Sequence, residues 1–344
     1  VLGACGGGTV DAWRAQLRIY PDQARQKPMA NSDPLDGKLV VMTGGSGFLG
    51  RHVAQALLER GARLRIASRH PEKAFKLKPL ANLGQLQFVR CDITDAANVR
   101  AIMHGADAVV NLVGTFTGNL AQVMVTGAGN VAAAAKDAGA QAMVHVSAIG
   151  ANEDSEAGYA SAKALGERAV LEAFPKASVL RPSILFGEDD AFITMFAGLI
   201  GTLPVLPVFA PHAPLQMLFV DDAADAVAAA LADPAKHGGK IFEIAGPEKI
   251  TMLELNRMIA GAQHRSRRFI EMPDAVSGMI AMLPGSPMGR DQWLLLKQGN
   301  VASGDHPGLK QLGIEPRPLE LFLDRWMVPY RKHGRFTENG PLVS

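Results

Sequence analysis

The sequence predicts an α/β fold, a doubly wound parallel sheet with helices on both faces, followed by a smaller, mainly helical C-terminal substrate or docking region. Three observations predict it. Lys38-Leu39-Val40-Val41-Met42 is an apolar run of strand length that enters a glycine turn, and from Phe48 through Val53, Ala56, Leu57 and Leu58 the apolar period becomes helical. Four further apolar runs follow, with helical stretches between them, which is the rhythm of strand-helix units joined in parallel. After the last of these runs, Tyr159 and Lys163 stand four residues apart at the start of another helical stretch.

The glycine turn, Thr43-Gly44-Gly45-Ser46-Gly47-Phe48-Leu49-Gly50, has the spacing G-x-x-G-x-x-G. Gly44 suits a tight turn off the strand, Gly47 a close approach of phosphate to bare backbone, and Gly50 close packing of helix on sheet. A strand before it and a helix after it make this a cradle for a dinucleotide pyrophosphate, with Ser46, Phe48 and Leu49 beside it.

With 344 residues the chain is long enough for a nucleotide domain and a companion. Its net charge of +2 and the lack of basic runs interleaved with aromatics argue against nucleic acid and for a small ligand. Cys5 and Cys91 are too few for a disulfide framework or thiolate metal site, so a reducing compartment and no metal are expected. No apolar run reaches the roughly 18 to 20 residues of a spanning helix, so any membrane contact would be made from the surface. Residues 1–35 read as a disordered extension, with Met29 a natural start for the folded unit. Residues 36–187 and 214–246 form the expected nucleotide domain, 188–213 a lid or substrate segment, 247–335 the C-terminal region and 336–344 a tail.

Taken in order, Arg63 to Ser68 is the second strand, and Ser68-Arg69-His70 its tip. A carboxylate at this tip would accept the ribose hydroxyls of NAD(H), whereas an arginine accommodates a 2′-phosphate. Arg69, with Ser68 and Lys73 beside it, therefore favours NADP(H) over NAD(H). Gln85 to Arg90 is the third strand; Asp92 and Ile93 after it are expected along the adenine ring, and Asp95 caps the next helix. Ala106 to Val113 is the fourth strand, and Asn111, Leu112, Val113 and Gly114 place a small-residue turn against the adenine-side ribose. An alanine-rich helix from about Asn119 to Ala138 ends at Gly139. Ala142 to Ile149 is the fifth strand, in which His145 reads as a satisfied interior residue and Ser147 faces the nicotinamide side of the cleft.

Tyr159 and Lys163 lie on one face of their helix, so both can point into that cleft. A phenol with an ordinary pKa near 10 is a poor acid or base at neutral pH, and a nearby ammonium stabilises its phenolate. Lys163 can also hold ribose hydroxyls.

With Thr43 to Gly50, Tyr159 to Lys163, Arg181-Pro182-Ser183-Ile184-Leu185-Phe186-Gly187 and Leu218-Phe219-Val220-Asp221-Asp222, the chain resembles the short-chain dehydrogenase/reductase superfamily in its extended or atypical branch, the NAD-dependent epimerase/dehydratase family with its Rossmann fold. The resemblance implies that the Arg-Pro segment follows the sixth strand and that Pro182, Ser183 and Ile184 contact the nicotinamide carboxamide. A narrower resemblance joins Leu83-Gly84-Gln85-Leu86, Asn111 to Gly114, Ala173-Phe174-Pro175, Ile184 to Asp189 and Leu309 to Pro316 to the nucleotide-binding accessory subunit of respiratory complex I and its bacterial relatives. It implies a tightly held NADPH, a structural or assembly role, complex I subunits and a membrane surface as partners, and a peripheral place on the cytoplasmic side of a bacterial inner membrane or the matrix side of a mitochondrial one. The chain departs from the extended family after the fifth strand, where a hydroxyl cluster for the substrate shrinks to Ser147 alone.

The apolar stretch between Asp190 and Pro214 reads as a lid over the nicotinamide end, and Val220-Asp221-Asp222 starts a carboxylate-capped helix. Ile241 to Gly246 is a strand of the main or an accessory sheet, and a helix starts after Thr251. Met272 to Leu296, with Val276, Met279, Ile280, Met282, Leu283 and Trp293, reads either as core or as a docking face, with Arg290, Lys297, Arg331 and Lys332 near headgroups. Two functions are left in view: a non-turnover NADP(H)-holding subunit of complex I, or an active NAD(P)-dependent reductase, dehydrogenase or epimerase in a soluble cytoplasm. In the second, a small carbonyl or sugar-nucleotide substrate would meet Tyr159 as proton donor, with Lys163 and Ser147 assisting.

Overall fold

Val40, Val41 and Met42 are fully buried, so the first strand, β1 (Leu39–Thr43), is covered on both faces as a central parallel strand must be. The computed structural model describes residues 33–281 and 289–331; the expected extension up to residue 32, the tail from 336, and Met282, Leu283 and Lys332 lie outside them. After β1 come α1 (Phe48–Glu59), β2 (Arg63–Ser68), β3 (Leu86–Arg90), α2 (Ala96–Met103), β4 (Ala108–Asn111), α3 (Gly127–Asp137), β5 (Ala142–Val146), α4 (Gly158–Ala173) and β6 (Ser178–Pro182). The chain continues with β7 (Leu185–Phe186), α5 (Ala191–Thr202), β8 (Val205–Val208), β9 (Pro214–Leu215), β10 (Leu218–Phe219), α6 (Val220–Ala232) and β11 (Ile241–Ile244). It ends with β12 (Ile250–Thr251), α7 (Met252–Ala262), β13 (Arg268–Glu271), α8 (Asp274–Ala281), α9 (Arg290–Gln298) and α10 (Glu320–Trp326).

Seven strands form one parallel sheet in the order β11-β6-β5-β4-β1-β2-β3, with apolar clusters on both faces. The order reverses between β1 and β4, and at such a reversal ligands gather beyond the carboxyl ends. β11 thus belongs to the main sheet, pairing with β6 from Ile241↔Val179 to Ile244↔Pro182. A third apolar cluster lies under the C-terminal elements, where Ile193, Ala197 and Ile200 of α5 pack with Leu255 and Ile259 of α7 and Leu323 of α10.

Several local readings are corrected. The carboxylates at 221 and 222 do not cap α6: the capping position is Phe219, and Asp221 and Asp222 stand in the first turn. They are committed elsewhere, Asp221 to His52 and buried Asp222 to Arg317, whose backbone N–H and Nε both donate to it. Arg181-Pro182 is the end of β6 rather than a segment after it. The helix expected from 119 to 138 is interrupted by one wide turn, Gln122–Thr126, where a Cβ on Gly166 would stand 2.3 Å from the carbonyl of Met124. Asp95 caps α2 through the N–H groups of Ala97 and Asn98, and Thr251 with Glu254 forms a capping box on α7.

Behind α4, Arg181 makes a two-pronged pair with Glu167, Nε to Oε1 at 2.9 Å and Nη2 to Oε2 at 2.7 Å, and Glu243 lies 3.9 Å from Nη1. Glu167 and Arg181 are both largely withdrawn from solvent. Removing one partner of a buried pair strands the other charge. Glu167→Ala should therefore lower stability by about 3–5 kcal/mol in urea unfolding, and Glu167→Gln, which keeps an acceptor, by clearly less.

Candidate functional site

The site is built on the carboxyl ends of β1, β4, β5 and β6. Gly44 leaves β1 at φ +77, the left-handed region that favours glycine, and a Cβ there would come 3.1 Å from the backbone of Leu112 and Val113. A Cβ on Gly50 would stand 2.7 Å from the backbone of Gly45, so α1 lies directly on the turn only because residue 50 is glycine. Gly47 holds the capping position of α1 in extended backbone, and neither a side-chain cap nor an acidic residue covers that helix start. Its first N–H groups are left for an anion.

The adenosine side is less uniform than the sequence suggests. Ser68 and exposed Arg69 stand at the tip of β2, with Ser68 Oγ accepting from His70 N at 3.2 Å. Arg69 makes no ion pair among the described residues. Asp92 Oδ1 accepts from Thr94 N and Thr94 Oγ1 at 3.0 and 2.8 Å, and these bonds first, then the charge of Arg69, hold its pKa below the usual value against slight burial. Ile93 is buried with Val99, Ala128 and Val131, its side chain against Gly127, so it faces core. Cys91 beside it is an inert thiol, pushed up to about 11, chiefly by burial.

A chain of buried polar groups crosses the strand ends. Thr43 Oγ1 donates to Asn111 Oδ1 at 2.8 Å, Val113 N donates to the same oxygen at 3.3 Å, and Asn111 Nδ2 lies 3.1 Å from His145 Nδ1. With Oδ1 taking two donors, the amide of Asn111 donates to Nδ1, which assigns the imidazole proton to Nε2. His145 is neutral: burial, and then the charge of Lys163, push it down to about 3. It is satisfied at Nδ1, as an interior residue should be, but Nε2 has no partner among the described residues.

Ser147 and Ser183 stand just beyond β5 and β6, and both hydroxyls are buried without a partner among the described residues. The neighbouring backbone is engaged: Ser183 N donates to Ile244 O, Ile149 N to Pro182 O, and Ile184 N to Asn300 Oδ1 at 2.6 Å. The Arg-Pro segment thus offers a cleft ligand the Ser183 hydroxyl more readily than its N–H groups.

Tyr159 and Lys163 converge as their spacing predicts. A Cβ on Gly114 would stand 3.2 Å from Lys163 Nζ and 3.8 Å from Tyr159 Oη. Nζ donates to Val146 O at 3.0 Å and to Val113 O at 3.4 Å. Burial pushes Lys163 down to about 8, against a raising effect of Glu167, and pushes Tyr159 up to about 12. Phe116 lies parallel to the Tyr159 ring with centroids 4.0 Å apart, and Asp291 Oδ2 accepts from Tyr159 N at 3.0 Å. Phe116, Asp291 and Asn300 are participants that sequence reasoning gave no role, and Asn111, expected only in the turn beside the ribose, is the centre of the buried polar chain. Only Asn111 and Phe116 lie near a strand end the motifs already marked.

A glycine cradle, a Tyr-x-x-x-Lys pair and two partnerless serine hydroxyls just beyond β5 and β6, all at the carboxyl ends of one sheet, fit a dinucleotide, and they define the chain as a doubly wound protein of the short-chain dehydrogenase/reductase type. The chain belongs to the NAD dependent epimerase/dehydratase family, whose pattern matches residues 40–245. It is 32% identical over 298 residues to NADH dehydrogenase (ubiquinone) 1 alpha subcomplex subunit 9, mitochondrial, of Rattus norvegicus, covering 83% of this chain and 79% of that one. It is 29% identical over 240 residues to a ceramide reductase of Caulobacter vibrioides, 69% and 74% of the two chains. Among solved structures, an NADPH-dependent quinone oxidoreductase of Escherichia coli complexed with NADPH has the same fold, with a TM-score of 0.68, 19% identity, and 83% of this chain and 99% of that one covered.

Because the folded pKa of Lys163 lies below its ordinary value near 10.5, the unfolded chain binds more protons between about pH 8 and pH 10.5. The cost of burying the ammonium is complete below about pH 8 and is relieved as pH rises through that window. Stability of the wild type relative to Lys163→Met should therefore increase from pH 7 to pH 9.5 in parallel denaturant titrations; a constant difference would refute the shift.

Proposed function

We propose that the chain holds NADP(H) as a structural or assembly cofactor and serves as a nucleotide-binding accessory subunit of respiratory complex I, docked peripherally on other subunits and the membrane surface. The observation that carries this reading is the likeness to the mitochondrial NADH dehydrogenase subunit, because it reaches well past the nucleotide domain into the C-terminal elements. Its 32% identity is kept over a share of the chain that the quinone oxidoreductase matches at only 19%, so the likeness is one of sequence as well as of fold.

The geometry agrees in two places. Tyr159 is flanked by Phe116, and its phenol is driven away from neutral pH, which suits retention of a nucleotide better than rapid proton transfer. The outer face of α5 and the strands beside it expose Met195, Leu199, Leu203, Val205 and Ile270, and no Asp, Glu, Lys or Arg occurs from Ala191 to Val220. An exposed apolar face of this kind is an interaction surface. Arg268, exposed and paired in register with Val205, and Arg267, bonded to the Ile200 carbonyl, put positive charge at its rim. Among the described residues no helix is long and apolar enough to cross a membrane, so this contact would be peripheral. The expected docking face at 272–296 is divided: Met279 is exposed, but Trp293 is buried against Ala210 and Ala213.

For the cofactor, Ser68 and Arg69 would hold the 2′-phosphate, the α1 cradle the pyrophosphate, and Lys163 and Ser183 the nicotinamide riboside. When bound, the dinucleotide supplies a hydride donor or acceptor. A second reading, an NAD(P)-dependent reductase on a small carbonyl, draws on Tyr159 and Lys163 meeting beside Gly114, on Ser147 following Val146, whose carbonyl Lys163 holds, and on the likeness to the ceramide reductase.

Arg69→Ala should weaken NADPH by about tenfold or more, the scale of a lost charge-assisted bond, and change NADH by less than about twofold in equilibrium titration. Equal losses would refute the assignment to the 2′-phosphate. For the role, native purification from membranes should yield the chain with other respiratory subunits and with NADP(H) still bound. A free monomer oxidising NADPH with a carbonyl substrate, and losing that activity in Tyr159→Phe, would establish the reductase instead.

A further inference from the structure

The helix that carries Tyr159 and Lys163 has no cap of its own. Ala157 stands in the capping position of α4 with no side-chain acceptor, and no acidic residue occupies the first turn. The acceptor comes from 132 residues downstream: Asp291 Oδ2 takes the Tyr159 N–H at 3.0 Å. Gly158 leaves room for it, since a Cβ there would lie 3.3 Å from the same oxygen.

Asp291 is in the first turn of α9, and α9 has its own seat. Trp293 is buried against Ala210 and Ala213. Lys297 Nζ lies 3.4 Å from Asp274 Oδ2 of α8, and a Cβ on Gly278 of α8 would lie 3.2 Å from the Trp293 Nε1 atom. α8 in turn exposes Met279. One carboxylate therefore connects a helix pair with an exposed apolar residue to the turn of backbone that sets the phenol against Phe116.

We propose that Asp291 is a positioning residue that links the α8–α9 pair to the nucleotide site, so that a nucleotide held at Tyr159 and Lys163 orders α8–α9, and displacement of α9 loosens the nucleotide. The inference rests on the assignment of NADP(H) to this cleft. A cap fixes the first turn of a helix, where unsatisfied N–H groups otherwise fray. If α9 leaves, Tyr159 loses that restraint, and by reciprocity nucleotide binding resists the departure by the same factor. A partner that engages α8–α9 would thereby sense whether the cleft is filled.

The test uses the full chain with NADPH as probe, in wild type, Asp291→Ala, Asp291→Asn and Gly158→Ala. Equilibrium titration should show NADPH weakened about fivefold or more in Asp291→Ala, with Asp291→Asn, which keeps an acceptor oxygen, close to wild type. Gly158→Ala presses on the same oxygen from the α4 side, at a position where alanine is a good helix former, and should weaken NADPH by less than Asp291→Ala without disturbing the fold; tighter binding than wild type would count against the link. Amide exchange over residues 290–298 should slow on adding NADPH to wild type and be insensitive to it in Asp291→Ala. A merely structural cap would lower stability without that nucleotide dependence. Wild-type affinity together with wild-type NADPH-dependent protection in Asp291→Ala would overturn the link alone. A wild-type chain without affinity for NADPH would overturn the nucleotide assignment and this inference with it.

Discussion

A buried ammonium governs the cleft. Lys163 is nearly inaccessible to solvent, and its three donors must be matched inside the protein. Two go to the carbonyls of Val146 and Val113, at the ends of β5 and β4. Glu167, one turn further along α4, turns both oxygens to Arg181 and acts on Lys163 only through its charge at a distance. Both contacts therefore come from strand ends, and the remaining donor is available for a ribose hydroxyl. Gly114 keeps the backbone close to Lys163 and Tyr159, since a Cβ there would press on Nζ at 3.2 Å and touch the Tyr159 hydroxyl at 3.8 Å.

Much of this was legible in the sequence because it is local. Strand β1, the glycine turn and α1 are continuous in the chain, and an i to i+4 spacing puts Tyr159 and Lys163 on one face whatever the rest of the protein does. Asp95 and Thr251 read correctly as caps because a cap is an affair of three or four residues. The failures involve partners that no local pattern carries. Asp222 looks like a cap until Arg317 is known to claim it from 95 residues away. Asn300 satisfies Ile184 from 116 residues away, and Asp291 reaches Tyr159 from 132. In the stretch expected as a lid, Ile193, Ala197 and Ile200 face a core, but the same helix is apolar on its other side, and an apolar count cannot say which side meets solvent.

The two apolar surfaces behave differently for a physical reason. In α9 the large ring of Trp293 finds a pocket made by small residues, Ala210 and Ala213, which lets a short helix bury its anchor within the chain. The outer side of α5 has no such cover. Met195, Leu199 and Leu203 follow one another at four-residue spacing, and each keeps about two fifths of its surface in contact with solvent. Leaving this stripe exposed costs solubility and adds nothing to the folded monomer, which is the physical ground for the docking role proposed for it.

These features bear on what a tyrosine-lysine pair can do in so buried a setting. For proton transfer near neutral pH the phenol has to be brought down, and the usual agent is an adjacent cation. Here that cation is itself weakened: burial lowers Lys163 to about 8, so a growing fraction is neutral just above physiological pH, and its hydrogen bonds run to carbonyls. Desolvation meanwhile raises the phenol to about 12. Both shifts have the same origin, a closed and apolar setting, and both reduce the charge that turnover would need. The same closure would strengthen each hydrogen bond that the proposed nucleotide makes and slow its exchange with water. Groups shared with reductases can in this way act as a clasp, with affinity gained from the burial that depresses reactivity.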